Sequence, residues 1–226
     1  MAVSFLQNGY SQSKIVFSRS LGALNSGGTP DLMIFDLASK ETNLIFKGSV
    51  RGRGEYSASI SPDKSKIIVN TYNFSGWKLG IADYNNGEIV EFKRFTSRTN
   101  YEYSAKWSHD GNYVAYQEFN WNTGDTEIFI VDKFGENPKQ ITKSAGGDRT
   151  PVWSRDDQAI IFTSGRVNAY DIYLKTFVNG NIVNLSNNPF SNDFAPSTST
   201  KENSIAFLSD REGSVNLYLM NYEERG

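Results

Sequence analysis

Four carboxylates, Glu55, Glu102, Asp148 and Asp193, occupy one position of a recurring pattern. Each is followed by Tyr56, Tyr103, Arg149 or Phe194, and two residues further on by Ala58, Ala105, Pro151 or Pro196. Acidic groups in such register have three chemistries open to them. They can accept hydrogen bonds from backbone N–H groups of a neighbouring repeat, as a buried carboxylate requires. They can form a negative funnel that concentrates cations or the basic groups of a partner. A pair can also serve glycoside hydrolysis, held ~6.5–9.5 Å apart in inverting enzymes and ~5–5.5 Å in retaining ones. That last role needs two carboxyl groups in unlike environments, whereas equivalent repeat positions supply like ones. A hard ion such as calcium wants about six to eight oxygens, so four side chains spread around a ring assign no metal site.

Aromatic residues add a second set of candidates. Trp77 and Trp121 stand in the polar, Gly- and Asn-containing stretches NFSGW and FNWNTGD, with Tyr72, Phe74 and Phe119 nearby. In such loops they either stack on a sugar or protein partner or cover strand edges. Trp107 and Trp153 end short apolar stretches and read as core. The single histidine, His109, lies in the turn SHDG, and no G-x-S-x-G elbow accompanies it, so no catalytic residue is assigned. The stretch GALNSGG at Gly22 matches neither phosphate-binding motif, and no cofactor is assigned. With no cysteine in 226 residues, disulfides, thiolate zinc sites and cysteine nucleophiles are excluded. Twenty-three basic against 25 acidic residues form no dense basic patch, the nearest being Arg51 and Arg53, and provide no footprint for nucleic acid. No apolar run approaches the ~20 residues of a membrane-spanning helix, so no membrane insertion is expected. Met1 to Gln12 lacks the basic start and apolar stretch of a signal peptide.

The elements that must position these residues are repeated. The segments KIVFS, KIIVN, YVAYQ, AIIFT and SIAFL align on Ile15, Ile67, Val114, Ile160 and Ile205, spaced 52, 47, 46 and 45 residues apart. Each reads as a buried strand. A second apolar segment follows each one, beginning at Asp31, Lys78, Glu127, Asp171 and Asn216, and a third follows the first four. A shorter strand precedes the anchors and ends at Ser61, Ser108, Ser154 or Ser199, with Asp63, Asp110 and Asp156 at one place in the turns between. Asp suits a tight turn because it hydrogen-bonds the backbone ahead. Each repeat is therefore four strands, A to D, and four-stranded units of about 45 residues are the signature of propeller blades. The expectation is an all-β, five-bladed β-propeller of four-stranded antiparallel blades in a single domain over 1–226. The repeats fall at about 1–54, 55–101, 102–147, 148–192 and 193–226. A fragment of a six- or seven-bladed propeller is the alternative.

PVWSRDDQAIIFTS, YSAKWSHDGNYVAY and YSASISPDKSKIIV resemble the P-x-W-S-P-D-G-x-x-I-x-F repeat of TolB-like (WD40-like) propellers, and IAFLSDREGSVNLYLMN resembles that family's B-to-C segment. The first repeat departs from it, with Asn8 where Trp107 and Trp153 stand, and the last has no room for strand D. By register Val3 to Asn8 is strand A of blade one. Closure of the ring places Met1 to Gly9 against Met220 to Gly226 or beside blade five. The resemblance implies a scaffold and no single activity, with a periplasmic or secreted setting and the cytoplasm as the alternative. The expected function is non-enzymatic binding of a protein or peptide through a loop face or the channel mouth. A carbohydrate-active propeller, lectin or glycoside hydrolase, is the other reading. The residues that would make either contact are Glu55, Tyr56, Trp77, Glu102, Tyr103, Trp121, Asp148, Arg149, Asp193 and Phe194.

Overall fold

A computed structural model describes residues 3–5, 14–20, 29–48, 53–85, 87–167 and 169–222. Its strands form five antiparallel sheets in chain order. Blade one holds β1 (Val3–Phe5), β2 (Lys14–Arg19), β3 (Asp31–Asp36) and β4 (Thr42–Phe46). Blade two holds β5 (Tyr56–Ile60), β6 (Lys66–Thr71), β7 (Lys78–Asp83) and β8 (Lys93–Arg94). Blade three holds β9 (Tyr101–Trp107), β10 (Tyr113–Phe119), β11 (Thr126–Asp132) and β12 (Lys139–Gln140). Blade four holds β13 (Asp148–Trp153), β14 (Ala159–Val167), β15 (Ala169–Thr176) and β16 (Ile182–Asn184). Blade five has three strands, β17 (Asp193–Thr198), β18 (Ser204–Ser209) and β19 (Asn216–Asn221). Each A strand touches the next (β1, β5, β9, β13, β17), so strand A is innermost. The chain is a five-bladed β-propeller, and no helix occurs among the described residues.

The A–B turns carry their own explanation. Ser61, Ser108 and Ser154 donate their hydroxyls to Asp63, Asp110 and Asp156 at 2.6, 2.6 and 2.7 Å. Each serine also accepts the N–H that opens strand B, from Lys66, Tyr113 and Ala159 at 2.9, 3.0 and 2.9 Å. His109 belongs to this turn: its Nδ1 lies 2.7 Å from Asp157 Oδ1, and Asp157 also accepts the N–H groups of His109 and Asp110, each at 2.9 Å. The histidine therefore joins the turns of blades three and four.

Successive blades meet through four apolar clusters: one with two, two with three, three with four, and four with five. Trp153 is buried in the third and Trp107 packs against the second, as their positions imply. Among the described residues no fifth cluster joins blade five to blade one. The described part of the expected closing segment, Val3–Phe5, pairs with β2 as strand A of blade one. That strand forms the inner edge of its own sheet, the place its register assigns it. The remainder of the segment, and residues 223–226, lie outside the described residues.

Strand A carries a bulge at the same place in four blades. Ser57, Ser104, Thr150 and Ala195 have φ of 52, 56, 48 and 53°, and the register of A on B slips there in each. The preceding blade stabilises the displaced backbone. Asn70, Gln117 and Thr163 accept the N–H of Ser104, Thr150 and Ala195 at 2.9, 2.8 and 3.2 Å. A left-handed φ costs an L-residue roughly 1–2 kcal/mol, and glycine avoids that cost. Ala195 is exposed, so its side chain offers little packing in return. Ala195→Gly is expected to raise the thermal midpoint and Ala195→Val to lower it by a few degrees. Differential scanning calorimetry of the two variants checks this, and equal midpoints would contradict the strain.

Candidate functional site

Glu55, Glu102, Asp148 and Asp193 are fully buried at the start of the A strands. Their partners are chiefly side chains of the same blade, where the sequence pattern suggested backbone donors of a neighbour. Asp148 receives Arg166 Nη2 on both oxygens at 3.1 and 3.0 Å, and Asp193 receives Arg211 Nη2 at the same two distances. Arg166 Nε donates to Ser164 at 2.8 Å and Arg211 Nε to Ser209 at 2.9 Å. The guanidinium carbons lie 4.6 Å from the ring centres of Tyr173 and Tyr218 respectively. Blade two builds the same clasp from neutral groups, with the Thr71 hydroxyl and Asn73 amide donating to Glu55 at 3.1 and 3.2 Å.

Blade three uses different parts in the same space. Glu118 stands where Ser164 and Ser209 stand, and it binds Arg98 through Nε at 2.7 Å and Nη2 at 2.8 Å. The Arg98 guanidinium covers Phe129, the counterpart of Tyr173 and Tyr218. Glu102 accepts the Thr96 hydroxyl and, at 3.4 Å, the N–H of Leu79 across the blade boundary. Burial pushes its carboxyl up to about 7, against the Thr96 hydroxyl and the Lys78 ammonium, which favour the charged form. Lys78 itself is held below the usual lysine range by burial. Its ammonium donates to the carbonyls of Arg98 and Thr99 at 3.0 and 2.7 Å.

The sequence offered one signal for these clasps. Arg166 and Arg211 both stand six residues after their anchors, Ile160 and Ile205, in S-x-R. The Arg98–Glu118 pair had none, because its arginine lies in the D-to-A connection while its carboxylate lies on strand B. Among the described residues no three His, Asp or Glu side chains converge to hold a metal ion.

What reaches solvent over the buried carboxylates is aromatic. Trp77 meets Tyr72, Tyr56 and Tyr103 with ring centres 5.4, 5.7 and 6.3 Å apart. Tyr103 meets Tyr101 at 6.3 Å, Tyr101 meets Trp121 at 4.4 Å, and Trp121 meets Phe119 at 4.9 Å. Most of these contacts are edge-to-face, the geometry that ring quadrupoles favour. Arg53 caps one end, 4.2 Å above Tyr72. The residues come from the starts of β5 and β9 and from the B-to-C loops of blades two and three, which share one end of the propeller. Gly76 makes their approach close: at φ 125°, a Cβ there would lie 2.5 Å from the Tyr101 ring. Trp121 is 57 % exposed, whereas Tyr56, Tyr72, Trp77, Tyr101 and Tyr103 are half-buried. The Tyr103 hydroxyl is pushed up to about 12 by burial and by its tyrosine neighbours, so it remains a neutral donor. Arg149 is exposed 5.5 Å from Tyr170, and Phe194 is half-buried, extending the same end over blades four and five.

The sequence profile of the TolB beta propeller domain matches residues 77–226. The chain belongs to this family. TolB of the Tol-Pal system from Desulfotalea psychrophila is 22 % identical over 157 residues, covering 63 % of this chain and 35 % of that protein. The chain thus spans about a third of the length of the curated relative it matches. Among solved structures, TolB from Acinetobacter baumannii superposes with a TM-score of 0.72 at 19 % identity, over 94 % of this chain and 51 % of that one. A putative TolB from Agrobacterium tumefaciens gives 0.76 at 18 % identity, over 93 % and 73 %. In this TolB-type propeller, the repeated positions supply the clasps, and blades two and three supply the exposed aromatic surface.

Proposed function

We propose that this propeller is a non-enzymatic platform that docks a protein or peptide on the aromatic surface of blades two and three. The observation that carries the reading is the unbroken chain of rings from Tyr72 through Trp77, Tyr103 and Tyr101 to Trp121. Tyrosine and tryptophan give large contact areas at low entropic cost, and each keeps a polar tip for hydrogen bonding. They are also the residues in which binding energy concentrates at protein interfaces. Glu55, Glu102, Asp148 and Asp193 act beneath this surface by fixing the loops that present it, while Tyr56, Arg149 and Phe194 extend the contact. The relative's membership of a Tol-Pal system is in keeping with a protein partner.

The test is selection of displayed random dodecapeptides on the wild-type protein. Selected peptides are expected to bind Trp121→Ala and Trp77→Ala at least about tenfold more weakly, as removal of an interface hot spot does. Peptides that bind both variants as tightly as the wild type would place the site elsewhere. If no peptide is selected and a glycan array yields ligands sensitive to the same substitutions, the surface is a lectin site.

A further inference from the structure

The outer edges of blades two, three and four follow one pattern. In blades two, three and four, one residue of strand C accepts a hydrogen bond from the outer segment, and in blades three and four it also donates one there. The carbonyls of Leu79, Ile128 and Ile172 accept the N–H of Phe95, Ile141 and Leu185 at 2.9, 2.8 and 2.8 Å. The N–H groups of Ile128 and Ile172 donate to the hydroxyls of Thr142 and Ser186 at 2.9 and 3.0 Å. The outer segment is therefore the same in all three blades: an apolar residue followed by Ser or Thr, as Phe95-Thr96, Ile141-Thr142 and Leu185-Ser186. The apolar member enters the core between blades. The hydroxyl also donates to a carboxylate, Glu102, Glu127 or Asp171 in turn.

The register makes Leu217 the fourth member of this series, since it faces Leu208 as Ile172 faces Thr163. Among the described residues blade five has three strands, and no hydrogen bond reaches Leu217 from the side of a fourth. The side chains are uncovered as well. Leu217 and Leu219 are 68 and 77 % exposed, where Ile172 and Leu174 are 0 and 2 %. The strand NLYLMN has no charge and no proline, the usual protections of a free edge.

We propose that the outer edge of β19 is a strand-addition site for a protein partner. The partner supplies an extended segment, antiparallel to β19, containing an apolar residue followed by Ser or Thr. The apolar residue donates its N–H to the Leu217 carbonyl and covers Leu217. The hydroxyl accepts the Leu217 N–H and donates to the Asn216 side-chain carbonyl, which stands where Glu127 and Asp171 stand. Binding by completing a sheet edge takes affinity from main-chain bonds and specificity from alternate side chains. This site shares no residue with the aromatic surface.

The probe is a synthetic peptide copying residues 180–188, GNIVNLSNN, which forms this edge in blade four. It is titrated into the isotope-labelled protein with amide hydrogen exchange as the readout. The expected result is slowed exchange at Leu217 and Leu219. Affinity is expected to fall at least about tenfold for Leu217→Asp, an exposed position, or for a peptide with Asp at the Leu185 position. Trp121→Ala should bind the peptide unchanged, which separates this site from the proposed function. The proposal is overturned if no β19 amide is protected up to the solubility of the peptide, or if Leu217→Asp binds equally well. It is also overturned if the two amides are already protected in a sedimenting dimer, which would make a second copy the occupant.

Discussion

Asp148→Ala is expected to destabilise the protein by about 3 kcal/mol, the lower end of the ~3–5 kcal/mol typical of breaking a buried ion pair. The cost comes from what remains. Asp148 is wholly buried and Arg166 is 20 % exposed, so removing the carboxylate leaves a guanidinium held against Tyr173 with no counter-charge. The residual exposure of Arg166 is why the lower figure applies. Replacing both members, as Asp148→Ala with Arg166→Met, should recover more than half of the loss, because the uncompensated charge is gone and the thioether still packs on the ring. Urea denaturation of the single and double variants measures the two steps. A single substitution costing under about 1 kcal/mol would mean that water reaches the clasp. Asp193 and Arg211 reproduce the distances, so Asp193→Ala should behave alike.

These clasps mark the limit of what the sequence made legible. The repeat spacing, the strands and the Ser-x-Asp turns could be read directly, because a short β-branched or aromatic apolar run and a side chain that closes its own turn are local physics. The in-register carboxylates were visible too, but their partners were not. A carboxylate can be satisfied by a guanidinium, a hydroxyl or an amide, and this propeller uses all three at equivalent places. The Arg98–Glu118 pair shows why no motif could reveal it: the two residues exchange the roles that Arg166 and Asp148 hold. The aromatic surface was half legible. Trp77 and Trp121 stood out in polar loops, whereas their union through Tyr101 and Tyr103 depends on two blades meeting and on Gly76 allowing close approach. The register assigned Val3 to Asn8 to strand A of blade one, and Val3–Phe5 pairs there; the expected contact of the amino-terminal segment with Met220 to Gly226 falls largely outside the described residues.

Glu102 should make stability fall as pH rises between about 5 and 8. In the unfolded chain its carboxyl loses the proton near the ordinary value of 4.5, whereas burial holds the folded value at about 7. Between those two pH values the folded protein carries a proton that the unfolded chain has released. Linkage then requires stability to decline with rising pH. The contribution is fully present below about pH 4.5, is lost as pH passes through about 7, and is flat beyond. The change is on the order of 3 kcal/mol. Glu102→Gln isolates it, because the amide reproduces the protonated form: its carbonyl can accept the Leu79 N–H and its NH₂ can donate to Thr96. At pH 8 the glutamine variant is expected to be the more stable protein, and at pH 4.5 no more stable than the wild type. Groups common to both proteins cancel in the difference. Chemical denaturation at half-unit intervals of pH tests this. A wild-type-minus-variant difference that stays constant from pH 5 to 8 would show that Glu102 is already ionised in the fold, stabilised by the Lys78 ammonium.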